Sequence, residues 1–443
     1  MRITVAGTGY VGLVTGVCLA QAGHDVTCMD ADVEKIRLLQ SGRIPIYETQ
    51  MEELLRENAA RLFFTADAQT AYADADVIVI GVGTPENPDG SCDLQYVYAV
   101  ADSIVRYARH ELVVAVKSTV PIGTCRRLRS YINARRDADK QIRIASNPEF
   151  LSQGTAVQDT LHAARVIVGA EEPQTFETMR EMYAPFGVPI VETDLCSAEM
   201  IKYASNNFLA LKISYINEIA NLCETFGADV ADVAKGMGLD PRIGESFLRA
   251  GIGYGGSCFP KDTKALYWLA EHEGRELKTV RAAIEVNEAQ KTVVLKKAHA
   301  YYRSLRGRTV AVLGLAFKPG TDDVRDAPSL KVIPQLLDEG AAVQAWDPAA
   351  RQRFTAAVPR TVRFCDTPEQ ALDGAEICLI LTEWDAVCAL RPADFVRHMK
   401  TPLVIDGRNC LRPEAFRDTG VTYESIGRRP VRNLTEKEGF DHE

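Results

Sequence analysis

Ile3-Thr4-Val5-Ala6-Gly7-Thr8-Gly9-Tyr10-Val11-Gly12 starts as an apolar, β-branched run, turns on glycines and enters a segment of helical spacing, Val11–Ala22, that Gly23 stops. His24–Met29 then reads as a second strand and ends at Asp30. A lone G-x-G-x-x-G is weak evidence. Set between a strand and a helix, with an acid 18 residues after Gly12 at a strand end, it reads as a dinucleotide-binding turn. Gly7 permits the tight turn, Gly9 lets backbone N–H groups approach a pyrophosphate, and Gly12 allows close helix–strand packing. Asp30 can accept from the adenosine ribose hydroxyls and would repel a 2′-phosphate, which favours NAD over NADP. A glycine turn without a ligand is the plainer alternative.

Outward from this unit, the apolar runs Asp76–Gly81, Leu112–Val116 and Ile142–Ala145 alternate with helical stretches, as in a parallel, helix-covered sheet. From Ser197 the pattern changes. Ala198–Phe226 runs to Gly227 without a breaker, and Thr279–Leu305 contains neither glycine nor proline, so 197–300 is expected to be a helical spine. A helix this long with apolar residues on more than one side suits a homodimer interface. At Arg308 the opening pattern returns: strand Thr309–Leu313, turn Gly314-Leu315-Ala316-Phe317, helix Pro328–Glu339, and strand Ala341–Trp346 ending at Asp347, then the runs Ile377–Leu381 and Leu403–Ile405. This half lacks the full glycine fingerprint. The expected class is α/β, with two Rossmann-like parallel-sheet domains (1–196 and 301–431) joined by a long-helix central domain (197–300) and followed by a polar, mobile tail at 432–443.

The bulk numbers are consistent with this. At 443 residues, 46% hydrophobic and 25% charged, the chain is long enough for two or three separate cores. A net charge of −9, spread along the chain, argues against nucleic acid. Eleven cysteines with no C-x-x-C pair suggest neither a disulfide framework nor a zinc site, so no metal is expected and a reducing cytosol fits. No signal-like n-region opens the chain and no apolar run reaches about 18 residues, so neither export nor a membrane span is expected. Asn433-Leu434-Thr435 matches a glycosylation acceptor only formally.

Three further constellations carry chemistry. Gly251-Ile252-Gly253-Tyr254-Gly255-Gly256-Ser257-Cys258-Phe259-Pro260-Lys261-Asp262 brings four glycines to a cysteine just before a helix that runs to about Glu273. The helix dipole and Lys261 both favour a thiolate there, and the glycines let a bulky ligand approach, whereas the other cysteines read mostly as small buried hydrophobes. Lys202 and Asn206, four apart, share a helix face and can stabilise an oxyanion or orient a hydroxyl. On spacing alone they read equally well as a solvated lysine and a spacer. Thr119, in Lys117-Ser118-Thr119-Val120-Pro121-Ile122-Gly123-Thr124, and Glu149, in Asn147-Pro148-Glu149-Phe150-Leu151, follow buried strands where open α/β sheets place ligands. They suit acid–base work or holding a water, and equally turn and capping chemistry.

In order, GTGYVG, KSTVPIGT, NPEFL, KYASN, GYGGSCFPKD and GLAFKPGTDDVRDAPS resemble the UDP-glucose/GDP-mannose dehydrogenase family, and within it the UDP-glucose 6-dehydrogenases, over about residues 1–430. Tyr254 and Phe259-Pro260 favour UDP-glucose over GDP-mannose and UDP-N-acetylmannosamine; another nucleotide-sugar oxidised by the same mechanism is the alternative. The resemblance implies a four-electron oxidation of UDP-glucose to UDP-glucuronate with two NAD⁺ and one water. Cys258 would capture the aldehyde as a thiohemiacetal that becomes a thioester. Lys202 would stabilise the alkoxide and oxyanion, Asn206 and Asp262 would position water and substrate oxygen, and Thr119 with Glu149 would serve proton and hydrolysis steps. By the same resemblance Gly7, Gly9, Tyr10, Val11, Gly12, Asp30, Lys35, Thr84, Thr119, Lys261 and Arg325 contact the cofactor. Glu149, Phe150, Leu151, Lys202, Asn206, Tyr254, Gly255, Cys258, Phe317, Lys318 and Arg408 contact the substrate, with Arg242 reaching into the neighbouring subunit's site. One position departs from the family pattern: Gln153 stands where many members carry a second glutamate. A glutamine cannot act as a general base, so hydrolysis stays with Glu149 and Asp262.

Two other readings remain open at this level. A two-electron NAD dehydrogenase of the β-hydroxyacid type also pairs lysine and asparagine four apart, but leaves Cys258 idle. A nucleotide-sugar sensor on a decayed dehydrogenase would have no need of Cys258, Lys202, Asn206 and Asp262 together.

Overall fold

The structure, a computed structural model, describes residues 1–432. The Asn433-Leu434-Thr435 triplet and, Arg432 apart, the tail expected at 432–443 lie outside the described residues. The described chain forms two compact units, Met1–Ser205 with Lys264–Gly274, and Asn206–Thr263 with residues 275–432.

In the first unit eight strands, β1 (Arg2–Ala6), β2 (Asp25–Met29), β3 (Leu62–Thr65), β4 (Val77–Ile80), β5 (Leu112–Val116), β6 (Ile142–Ser146), β7 (Val166–Gly169) and β8 (Ile190–Thr193), form one sheet. Its order is β3-β2-β1-β4-β5-β6-β7-β8. All neighbours are parallel except β6 and β7, which meet antiparallel at Ser146 and Gly169. Both faces are covered, which explains why the central strands read as unbroken apolar runs. Successive side chains go to opposite cores: Val77 and Val79 of β4 pack with Ile3 and Val5, while Ile78 and Ile80 pack with Val114 and Val116. Each such aliphatic side chain contributes about 1.5–3 kcal/mol relative to exposure.

In the second unit β9 (Thr309–Leu313), β10 (Ala342–Trp346), β11 (Arg363–Phe364), β12 (Ile377–Ile380), β13 (Leu403–Asp406) and β14 (Thr422–Ser425) pair in parallel in the order β11-β10-β9-β12-β13-β14. The expected α/β class with two Rossmann-like parallel sheets and a long-helix region is therefore what forms. Each order reverses beside its first strand, at β1/β4 and at β9/β12, the switch points where such sheets hold ligands.

The breaker-free stretch Ala198–Phe226 lies within one helix, Leu195–Phe226. Thr279–Leu305 behaves differently: it divides into helices Lys278–Gln290 and Val293–His299. The interruption falls where the fully buried Lys291 pairs locally with Glu288 at 2.6 Å and across the fold with Asp326 at 3.3 Å.

Candidate active site

The opening turn is built as the fingerprint requires. Gly7 has φ +94°, and a Cβ on Gly12 would lie 1.9 Å from the Gly7 carbonyl oxygen, so neither position tolerates a side chain without the turn opening. A Cβ on Gly9 would meet nothing within 4 Å. Gly9 caps the helix Tyr10–Gln21 without a side-chain hydrogen bond, and the first turn carries no acid. Backbone N–H groups at a helix N-terminus facing open space fit a pyrophosphate. Asp30 stands at the end of β2, where one carboxylate oxygen accepts from the Thr8 N–H and hydroxyl, both at 2.7 Å, and from Lys35 at 3.0 Å. Half-burial alone would push this carboxyl up; the hydrogen bonds from Asp32, Thr8 and Lys35 outweigh it and hold it below the ordinary carboxylate range. It is therefore an anion at neutral pH, and the turn fits NAD. Thr84 and Thr119, after β4 and β5, are joined by the Thr84 hydroxyl donating to the Thr119 carbonyl at 2.9 Å.

Lys202 and Glu149 form a buried ion pair, Nζ to Oε1 at 3.1 Å, and the other Glu149 oxygen accepts the Leu151 N–H at 2.7 Å. Glu149 thus closes a local turn and holds a cation at once. The Lys202 ammonium also lies 5.2 Å from the centre of the Phe150 ring. With Lys202 and Asn206 only 3% and 5% exposed, the solvated-lysine reading is excluded.

In the second unit Cys258 is half-buried and directly precedes the helix Phe259–His272, its carbonyl accepting the Asp262 N–H at 2.9 Å. Asp262 is 1% exposed, and its two carboxylate oxygens accept from Lys261 at 2.7 Å and Asn206 at 2.6 Å. Arg325 grips Asp323 in a fork. Burial lowers this guanidinium, but Asp323 and the neighbouring Cys258 raise it overall. Arg325 and Lys261 thus bring cations near Cys258, each paired with its own carboxylate, Asp323 and Asp262. Burial pushes Cys18 and Cys28, by contrast, up to about 12, which makes them inert. Not every other cysteine is buried: Cys388 is exposed, and Cys92, Cys196 and Cys410 are intermediate.

The cysteine loop is packed too closely for side chains. A Cβ on Gly255 would come within 2.6 Å of the Asp326 carbonyl oxygen, and one on Gly256 within 2.8 Å of the Phe317 ring. Tyr254 is buried, which pushes its phenol up to about 12. Lys318 lies 5.7 Å from the Phe317 ring centre. Arg408, after β13, donates to the carbonyls of Leu381, Gly253 and Phe317, so it joins this loop to the carboxyl ends of the strands. Arg242 stands apart, bound to Asp240 of its own loop with its side chain 87% exposed.

Asp347, the positional counterpart of Asp30 in this second unit, accepts from the N–H groups of Leu315, Ala316, Ala349 and Ala350 and from Trp384. It saturates its own turn. A ribose would find no acceptor capacity there, which distinguishes this half from the first.

Sequence reasoning missed two sets of residues. Glu199, 2% exposed, accepts the N–H groups of Gly123 and Cys125, capping the helix Thr124–Asn133 from outside and bracing the Thr119 loop. The only sequence signal is an acid three residues before Lys202 on the same helix. Asn287, Gln290 and Lys291 bury amides and an ammonium beside the cysteine loop; their i, i+3, i+4 spacing put them on one face.

Residues 1–187, 196–289 and 311–413 match in turn the NAD binding, central and UDP binding domains of the UDP-glucose/GDP-mannose dehydrogenase family. A UDP-glucose 6-dehydrogenase of Bacillus subtilis is 45% identical over 97% of this chain and 98% of its own, and one of Pseudomonas aeruginosa 44% identical over 97% and 98%. The solved structure of a UDP-glucose dehydrogenase from Pyrobaculum islandicum is similar with a TM-score of 0.90 at 37% identity, covering 97% of this chain and 98% of that one. Likeness of this extent, reaching through all three domains in order, means that the chain belongs to the UDP-glucose/GDP-mannose dehydrogenase family.

Proposed function

We propose that this protein oxidises the C6 hydroxymethyl group of UDP-glucose to the carboxylate of UDP-glucuronate, consuming two NAD⁺ and one water. The observation that carries the reading is the setting of Cys258: a half-buried thiol at a helix N-terminus, near Arg325 and one helical turn before a buried Asp262 held by Asn206 and Lys261. A two-electron dehydrogenase has no use for that thiol. NAD⁺, when bound, supplies the hydride acceptor for both oxidations, held by the Gly7–Gly12 turn, Asp30, Lys35, Thr84, Thr119, Lys261 and Arg325. Lys202 stabilises the alkoxide formed as the C6 hydroxyl loses its proton, Glu149 orienting the ammonium. The Cys258 thiolate adds to the aldehyde carbon, the thiohemiacetal is oxidised to a thioester, and water held by Asp262 and Asn206 releases the acid and returns the thiol. Tyr254, Gly255, Phe317, Lys318 and Arg408 bind the nucleotide-sugar, with Phe150 and Leu151. Two NADH formed per UDP-glucose is the expected result; one would return the chain to the two-electron class, and none to the sensor reading.

Asp30→Ala should cut efficiency with NAD about 10- to 100-fold, the worth of a hydrogen bond to a charged group, and narrow the gap to NADP. Strong native activity with NADP would overturn the assignment.

Among the described residues no helix is long and apolar enough to cross a membrane. The proposed setting is a reducing cytosol, which keeps Cys258 as a thiol. The long helix supports a homodimer, because it buries Lys202, Asn206 and Asn217 yet exposes Phe208, Tyr215, Leu222 and Phe226. Leu239, Ile243 and Phe247, flanking Arg242, are exposed as well. Arg242 would complete the partner's site, so Arg242→Ala and Cys258→Ala chains, each inactive or weak alone, should recover activity when mixed. Heterodimers without recovery would confine Arg242 to its own subunit or to no role.

A further inference from the structure

The helix Lys278–Gln290 ends in three polar groups that are almost fully buried, Asn287, Gln290 and Lys291 at 2%, 3% and 0% exposure. All three act on the loop that leads to Cys258. Gln290 donates to the Gly251 carbonyl at 2.8 Å. The Asn287 amide pairs with both backbone groups of Tyr254, accepting its N–H at 2.7 Å and donating to its carbonyl at 3.0 Å. Lys291 holds Asp326, whose backbone has φ +52° and whose carbonyl abuts Gly255; the adjoining Arg325 carbonyl accepts the Gly256 N–H at 2.7 Å. The side chains of one helix face thus fix Gly251 and Tyr254 directly, and Gly255 and Gly256 through one strap.

A loop with glycines at 251, 253, 255 and 256 loses much backbone freedom on ordering and has few side chains with which to hold itself. Burying two amides and an ammonium is costly unless their polar atoms are used; here both amides bond the loop backbone, the Gln290 oxygen also accepts from Asn221, and the ammonium pairs with Glu288 and Asp326. A nucleophile displaced by about 1 Å loses about 10²-fold in rate. We propose that the Asn287–Gln290–Lys291 face is a positioning device for the Cys258 thiol, setting the loop backbone on which the sulfur is presented without touching substrate. The inference rests on the reading of Cys258 as the nucleophile.

The test compares Asn287→Ala, which removes both bonds to Tyr254, with Gln290→Met, which keeps the side-chain volume and removes the bond to Gly251 together with the one accepted from Asn221. Steady-state kinetics with UDP-glucose and NAD⁺ are paired with iodoacetamide alkylation, followed peptide by peptide so that exposed Cys388 is the internal control. Asn287→Ala should lower kcat about 30-fold and slow Cys258 alkylation about tenfold at neutral pH while Cys388 reacts as before. Gln290→Met should move the same quantities in the same direction by about three- to fivefold, and decides the matter if Asn287→Ala does not fold. Unchanged Cys258 alkylation in a folded variant overturns the proposal, whether or not kcat falls. Alkylation needs no substrate, so a native protein inert toward UDP-glucose would sink the functional reading while leaving this comparison decisive.

Discussion

Cys258→Ser should lose about three orders of magnitude or more in steady turnover while still binding UDP-glucose. The substitution keeps the size and the helix-N-terminal position but removes the chemistry. A serine hydroxyl is scarcely ionised at neutral pH, even beside the dipole and Arg325, so capture of the aldehyde slows. Any ester that does form leaves through an alkoxide, a much poorer leaving group than a thiolate. The first oxidation needs neither property. A single-turnover experiment should therefore give about one NADH per site at a near-native rate, followed by a stall at the aldehyde or at a slowly hydrolysed ester visible by intact-protein mass spectrometry. Turnover near the native rate with two NADH per substrate would mean that covalent capture is not on the path, and that water adds directly to the aldehyde.

Cys258 was legible because its signal is local: the glycines, the cysteine and the helix start are consecutive in the chain. The first sheet was legible for a similar reason, since strands buried on both faces, such as Val77–Ile80 and Leu112–Val116, read as continuous apolar runs. Edge strands leave a fainter trace. Leu62–Thr65 and Ile190–Thr193 are only partly buried, and their apolar runs, Leu62-Phe63-Phe64 and Ile190-Val191, are too short to stand out. Side chains whose role is set by distant partners were invisible. Glu199 looks like any acid on a long helix until the N–H groups of Gly123 and Cys125 are brought to it. The interruption after Gln290 has no glycine or proline to announce it; it falls at the buried Lys291, whose distant partner is Asp326. Asp347 and Asp30 occupy equivalent strand ends, yet only the structure shows that one is saturated by its own chain.

Lys202 allows stability and catalysis to be separated. Its ammonium and the Glu149 carboxylate are nearly sealed from water, and removing one partner of such a pair leaves the other charged and uncompensated, at a cost of about 3–5 kcal/mol. Lys202→Met should accordingly lower the unfolding midpoint by about 10 °C for a unit of this size, and cut kcat about 10²- to 10³-fold through loss of the cation that meets the developing oxyanion. Adding Glu149→Gln neutralises the stranded carboxylate while keeping an oxygen for the Leu151 N–H. The double variant should regain most of the stability and none of the rate. Recovery of activity along with stability would mean that Lys202 serves only to neutralise Glu149. An unaltered midpoint in Lys202→Met would mean that the pair adds no net stability.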